Sequence, residues 1–174
     1  MTAVANEYAW GTATIAGLAY ILANAGASNE GIASNYSSGT GNASYGTTDS
    51  GIDGPLRVGI FAANSANSGR ITAGASYYGI MELSGNLWER AVTIGNAIGR
   101  GFTSLHGDGA LDPSGVANVS NWPGTDAVGA GLRGGGWSDP ASNLCVSDRI
   151  YVSAPDYSRD YYLGFRAARS GPAL

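Results

Sequence analysis

Apolar residues along this chain come in short runs, separated by long stretches of Gly, Ser, Asn, Thr and Asp. The first run, TATIAGLAYILANA at 12–25, sets Ile15, Leu18, Ile21 and Leu22 at helical spacing and predicts a helix. Gly17 within it leaves a buried strand and loop as the alternative. Residues 26–54 predict a loop, with Tyr36 and Tyr45 expected to pin it, because so long a structureless loop is unusual inside a compact domain. PLRVGIFAA, 55–63, predicts a short strand ended by the Asn/Ser cluster after it. YYGIMELSGNLWER, 77–90, predicts a strand-like start and a turn at Ser84-Gly85-Asn86, with LWERAV following as a second short apolar element. Residues 96–125 read mostly as loop, with turn signals at 108–109 (DG), 112–115 (DPSG) and 122–124 (WPG). LRGGGW, 132–137, predicts a strand whose glycines lie close to other backbone, and YLGFRAAR, 162–169, alternates as a terminal strand. These elements sum to one α+β domain spanning 1–174, with short strands, few helices and long ordered loops around one core.

Composition sharpens this picture. Glycine makes up 28 of 174 residues without a triplet period, which excludes collagen and points to many turns. All nine basic residues are Arg, and thirteen acids bring the net charge to −4. That balance argues against nucleic acid as a partner, which needs a basic footprint, and against a polybasic membrane anchor. No apolar run is long enough to insert into a membrane. Cys145 is the only cysteine, so an internal disulfide, a four-cysteine zinc site and a CxxC redox pair are all excluded.

Three stretches in order, YYGIMELSGNLWER, LRGGGW and LGFRAAR, resemble the formylglycine-generating-enzyme (sulfatase-modifying factor) domain family, with its GL-x-D/E-x-x-GN-x-WEW stretch, RGGSW stretch and closing GFR. EYAWG near the start is similar to that family's WEYA and PWG region. The resemblance implies a C-type-lectin-like fold of small twisted sheets with much ordered loop. Where the oxidase members hold copper with two cysteines, the corresponding positions here are Asp139 and Leu144, and Cys145 stands alone one residue further on. The chain is more similar still to a subgroup, the variable proteins of diversity-generating retroelements. There a lectin-like scaffold displays residues diversified by mutation of adenines. The resemblance therefore implies a non-catalytic protein that binds a macromolecular ligand, expected to be a protein, and acts as a monomer with no required cofactor. The alternatives are a formylglycine-generating-type metal oxidase and a calcium-dependent carbohydrate-binding module.

The tail 138–162, SDPASNLCVSDRIYVSAPDYSRDYY, holds five Ser, four Asp, four Tyr and Ile150. Each of these types is reached from an asparagine codon by changing adenines alone, and Lys, Glu, Gln and Met are absent. Independently of any resemblance, Tyr with Ser and Asp is the composition of a paratope: large contact area at low entropic cost, with small polar partners. The expected contact residues are Ser138, Asp139, Asp148, Ile150, Tyr151, Ser153, Asp156, Tyr157, Ser158, Asp160, Tyr161 and Tyr162. Alternation would turn Val152 and Ala154 inward and Tyr151 and Ser153 outward. Asn143, Leu144, Cys145 and Val146 read as scaffold, with Arg149, Arg159 and Arg166 bracing the loops.

In the resembled family the loop before the tryptophan holds a structural calcium, which maps onto Glu82, Gly85, Leu87 and Glu89. Without the resemblance, Glu89 simply holds its loop by accepting backbone N–H bonds. Asp108 and Asp112 read as turn formers, and His106 as a structural histidine. Trp10, Trp88, Trp122 and Trp137 read as core. Gly134–Gly136 lacks the context of a phosphate loop, and Ser84 lacks that of a nucleophile.

Overall fold

Strand β3, Trp88–Val92, is the middle of the larger sheet, between β4, Ala130–Arg133, and the two-residue β5, Leu163–Gly164. The structure is a computed structural model describing residues 4–17, 20–34, 38–46, 54–63, 69–103, 110–119, 122–155 and 158–165. It is an α+β domain with two modest sheets and one short helix. β3 and β4 run antiparallel, with Glu89 opposite Arg133 and Arg90 opposite Leu132. β5 joins β3 in parallel, with Leu163 opposite Trp88. The smaller sheet pairs β1, Ile21–Ala23, with β2, Gly31–Ser34, antiparallel around an irregularity between Ile21 and Leu22. The helix α1, Ala97–Arg100, is capped by the Asn96 side chain, which accepts from the Ile98 N–H at 2.9 Å.

Two apolar clusters form the core. Tyr8, Trp10, Ala43, Tyr45, Leu144 and Cys145 make one, and Tyr20, Ile32, Leu56, Ile60 and Phe61 the other. Between them the chain is held by a polar knot. Gly85 donates to the Gly134 carbonyl at 2.7 Å and Asn86 to Ser44 at 2.8 Å, while the Asn86 carbonyl accepts from Trp137 at 2.8 Å. The Asn86 side chain takes both main-chain groups of Leu56, accepting its N–H at 2.7 Å and donating to its carbonyl at 3.0 Å. Ser84 Oγ donates to the Leu144 carbonyl at 2.9 Å and accepts from the Ala9 N–H at 3.0 Å. Gly85 has φ 86° and lies where a Cβ would meet the Ser44 carbonyl, so only glycine turns the chain here.

Several expectations are overturned. No helix covers 12–25: Ile15 bridges Gly41, and Ile21–Ala23 is β1. The tertiary partners Gly41, Asn42 and β2 offer the backbone and Tyr20 better bonds than an isolated turn of helix. The 26–54 segment is not all loop, because it contains β2, and Tyr45 does pin it through a 2.6 Å bond to the Ala16 carbonyl. Residues 55–63 are not a strand, since Gly59, at φ 81°, leads into a 3-10 turn at Ile60–Ala62 that buries Ile60 and Phe61. The start of 77–90 is a turn closed by Gly79 onto Ser76 at 2.9 Å, which leaves Tyr77 and Tyr78 exposed. Trp122 is 38% exposed, edge-on to Phe102, and is not core, whereas Trp10, Trp88 and Trp137 are buried. The turn at Ser84–Asn86, the strand after it and the DPSG turn, with Asp112 Oδ1 accepting from the Ser114 and Val116 N–H groups, form as expected, whereas the strand expected at 132–137 is β4, which ends at Arg133, before Gly134–Gly136. Tyr36, His106, Asp108 and Arg166 lie outside the described residues.

Asn86→Ala strands both polar groups of buried Leu56, at a cost of about 1–3 kcal/mol. A fall in Tm of roughly 3–10 °C is expected; an unchanged Tm in a thermal melt would refute the role given to this side chain.

Candidate functional site

The tail after β4 is tied to the sheet by its main chain. Leu132 of β4 donates to the Tyr151 carbonyl at 3.0 Å, and Thr93 Oγ1 donates to that of Val152. Arg90 donates to Ser158 at 2.6 Å, and the Trp88 N–H to Tyr162 at 2.9 Å. Arg133 and Arg149 both reach the Val146 carbonyl, at 2.5 and 2.9 Å, and Gly46 donates to that of Asp139 at 2.8 Å. The approach is close: a Cβ on Gly131 would come within 2.5 Å of the Val152 oxygen. A 3-10 turn at Ala141–Leu144 sinks Leu144 into the core at 1% exposure.

Because carbonyls serve as the anchors, side chains of the tail are left at the surface. Ser138, Ile150, Tyr151, Ser153, Ser158 and Tyr161 are exposed, Tyr161 at 69% and Ile150 at 60%. Val152 and Ala154 are half-buried, as alternation predicts, although the segment is a turn and not a strand. Asp139, Asp148, Asp160 and Tyr162 are half-buried. Asp148 and Asp160 stay local, accepting from the Ile150 N–H at 3.4 Å and the Tyr161 N–H at 2.8 Å. Asp139 faces inward: Oδ2 accepts from Trp88 Nε1 at 2.6 Å and the Gly136 N–H at 2.8 Å, and Oδ1 accepts from Asn143 Nδ2 at 3.1 Å. Val146, expected as scaffold, is 46% exposed, because it is held by its main chain, the N–H donating to the Glu7 carbonyl at 2.8 Å and the carbonyl accepting from Arg133. Asp156 and Tyr157 lie outside the described residues.

A cleft of about 340 Å³ opens in this face. Ser138, Asp139, Tyr151, Tyr161 and Tyr162 line it, together with Trp88, Leu132 and Ala154, which the sequence did not single out for the site. Trp88 and Leu132 are buried and form its base, while Tyr151 and Tyr161 stand at the opening. Tyr151 meets Trp88 edge-on at 5.1 Å, and Tyr161 meets Tyr162 edge-on at 5.2 Å and Trp137 at 5.8 Å. Nothing local marks Trp88 as a wall of the cleft, since its bond to Asp139 spans 51 positions. Ile150, Ser153, Ser158, Asp148 and Asp160 are not among the lining residues.

A second recess of about 110 Å³ brings Glu82, Leu87 and Glu89 together with Val58, Asn86, Gly164 and Phe165, while Gly85 is not in its lining. Glu82 is buried at φ 56° and accepts from the Gly59 N–H through Oε1 at 3.0 Å. Among the described residues no three His, Cys, Asp or Glu side chains gather as metal ligands. Two carboxylates, Glu82 and Glu89, are of the ligand type calcium takes, and main chain or water would have to complete its six to eight oxygens.

Cys145 is buried beside Tyr8, its Sγ 3.5 Å from the Asn6 carbonyl. Burial pushes its thiol up from the ordinary value, a hydrogen bond from Tyr8 acts the other way, and Asp148 adds to the rise. Tyr8 and Tyr45 are likewise raised, chiefly by burial. A buried thiol with a raised pKa is a poor nucleophile and metal ligand. Among the described residues no helix is long and apolar enough to cross a membrane.

Compared with protein-family models, with curated proteins and with solved structures, the chain matches none.

Groups held neutral by burial stabilise the fold fully below their unfolded pKa values, and that contribution is lost as pH rises past them. The urea midpoint should therefore fall as pH climbs through about 8.5–10, and Cys145→Ala should remove part of the fall. A midpoint flat across that range would contradict the burial of these groups. Native Cys145 should also resist alkylation at neutral pH until the chain is unfolded.

Proposed function

We propose that this protein is a non-catalytic recognition protein on a C-type-lectin-like scaffold, of the kind encoded by diversity-generating retroelements, and that the tail 138–162 forms its binding face for another protein. The observation that carries this reading is the mode of anchoring. The frame grips the tail through the carbonyls of Asp139, Val146, Tyr151, Val152, Ser158 and Tyr162, and every residue type supplies a carbonyl. Apart from Asp139, whose side chain is bonded as well, positions held in that way can change side chain without losing their anchor. The exposed residues among them are the types that adenine mutation yields from asparagine codons. Tyrosines at the mouth of a cleft supply contact area at low entropic cost, and a few such aromatic anchors carry most of the energy in protein interfaces. The burial of Leu144 and Cys145 favours binding over thiol oxidation.

Two tests follow. Ile150→Asp, Ser153→Tyr and Tyr161→Ser should each leave Tm within roughly 5 °C of the parent, since substitutions on exposed, non-anchoring side chains cost little. Melting-temperature losses well beyond that would place these side chains in the fold and sink the reading. The encoding locus should hold a near-identical repeat of codons 138–162, differing only at adenines, beside a reverse-transcriptase gene. A locus without such a repeat removes the retroelement class.

The calcium implied by the resemblance would be held by Glu82 and Glu89, which with Leu87 line one recess. There it would supply a positive charge joining the Gly59 turn to β3. Calcium at about a hundred times its dissociation constant should raise Tm by roughly 5–10 °C in the parent, and by much less in Glu89→Gln. No rise in the parent eliminates the site.

A further inference from the structure

The cleft has a chemistry of its own. Its volume, about 340 Å³, sits at the small end of ligand clefts, which run to about 300–1,000 Å³. That size suits one side chain or head group of a partner better than an extended segment. The rings of Trp88, Tyr151, Tyr161 and Tyr162 line it. Among them lies the carboxylate of Asp139, and its three donors, the Trp88 indole, the Gly136 amide and the Asn143 amide, are all neutral. They fix the carboxylate in place, and none of the three brings a positive charge to it. Among the described residues the arginines that bond the tail do so at carbonyls: Arg90 at Ser158, and Arg133 and Arg149 at Val146. Aromatic faces attract a cation through their quadrupole within about 6 Å of the ring, and a fixed carboxylate among them adds attraction of the same sign.

We infer that the cleft receives a cationic side chain of the protein partner, a guanidinium or an ammonium, held between the tyrosine rings and paired with Asp139. This rests on the reading of 138–162 as a recognition face and deepens it. The inference divides the tail into two classes. Asp139 is a fixed part of the receptor, committed by side chain to β3 and to the 3-10 turn. Tyr151 holds its position through its carbonyl, Tyr161 is exposed next to the anchored Tyr162, and both tune what the cleft accepts.

The test uses n-butylguanidinium as the probe and n-butylurea as its neutral counterpart, each titrated into the full chain with the aromatic ring resonances followed by NMR. Butylguanidinium should shift the rings of Trp88, Tyr151 and Tyr161 saturably and bind at least roughly fivefold tighter than butylurea. Asp139→Asn should bring the two ligands to parity. Because Asp139 also holds the loop, Tyr161→Leu, at an exposed position, supplies an independent arm: it should keep the parent Tm and lose most of the preference. Equal or tighter binding of butylurea, no saturable shift with butylguanidinium, or a full preference retained in Tyr161→Leu would overturn the inference. Those results would leave the recognition face standing, because that reading is decided by the locus and by the tolerance of Ile150, Ser153 and Tyr161 to substitution.

Discussion

The turn at Ser84-Gly85-Asn86 is the constraint on which the rest depends. It bonds at once to the N-terminal segment at Ala9, to Ser44, to Leu56, to the glycine run Gly134–Trp137 and to Leu144. Among the described residues the longest strand has five residues and the one α-helix four, so regular ladders satisfy little of their buried backbone. Buried peptide groups must find partners somewhere, and here short polar side chains supply them. Asn42 does for the 40–72 region what Asn86 does for Leu56, donating to the carbonyls of Thr40 and Thr72 and accepting from Tyr20. Each such bond nets about 0.5–1.5 kcal/mol, whereas leaving its partners stranded costs more. The knots thus select one conformation, and burial of Trp10, Tyr20, Ile60 and Phe61 provides most of the stabilisation.

The same logic explains how the tail is held on an irregular chain. Loops that carry function usually owe their shape partly to their own side chains, so altering the contacts alters the shape. Here the two are separated. Arg90, Arg133, Thr93 and the Leu132 amide belong to the frame and reach out to the tail, which contributes carbonyls. Asp139 is the exception, because its side chain is the bond between the tail's first turn and Trp88. That bond also brings a carboxylate to a cleft lined by Tyr151, Tyr161 and Tyr162.

Much of this was legible in the residues themselves. Gly85, with Asn86 after Ser84, announced a turn because both residues tolerate the left-handed region. The glycines of LRGGGW announced a close approach, and the Leu83 carbonyl and the Asn143 backbone are what come close to Gly134 and Gly135. The composition of 138–162 announced a surface of tyrosine, serine and aspartate, and Tyr151, Ser153 and Tyr161 are exposed as that requires. Where local pattern misled, at 12–25 and 55–63, the spacing of apolar residues was weak and a distant partner decided the outcome.

What the sequence determined by itself is therefore the set of turns and the chemical character of the tail, since both follow from properties of single residues and their immediate neighbours. Only the tertiary structure decided that Trp88 and Leu132 would floor a cleft beneath those tyrosines and that Asp139 would turn inward to meet an indole 51 positions away. Such meetings depend on the register of β3 against β4 and on where the tail docks across them. Register is a relation between segments, and no local spacing encodes it.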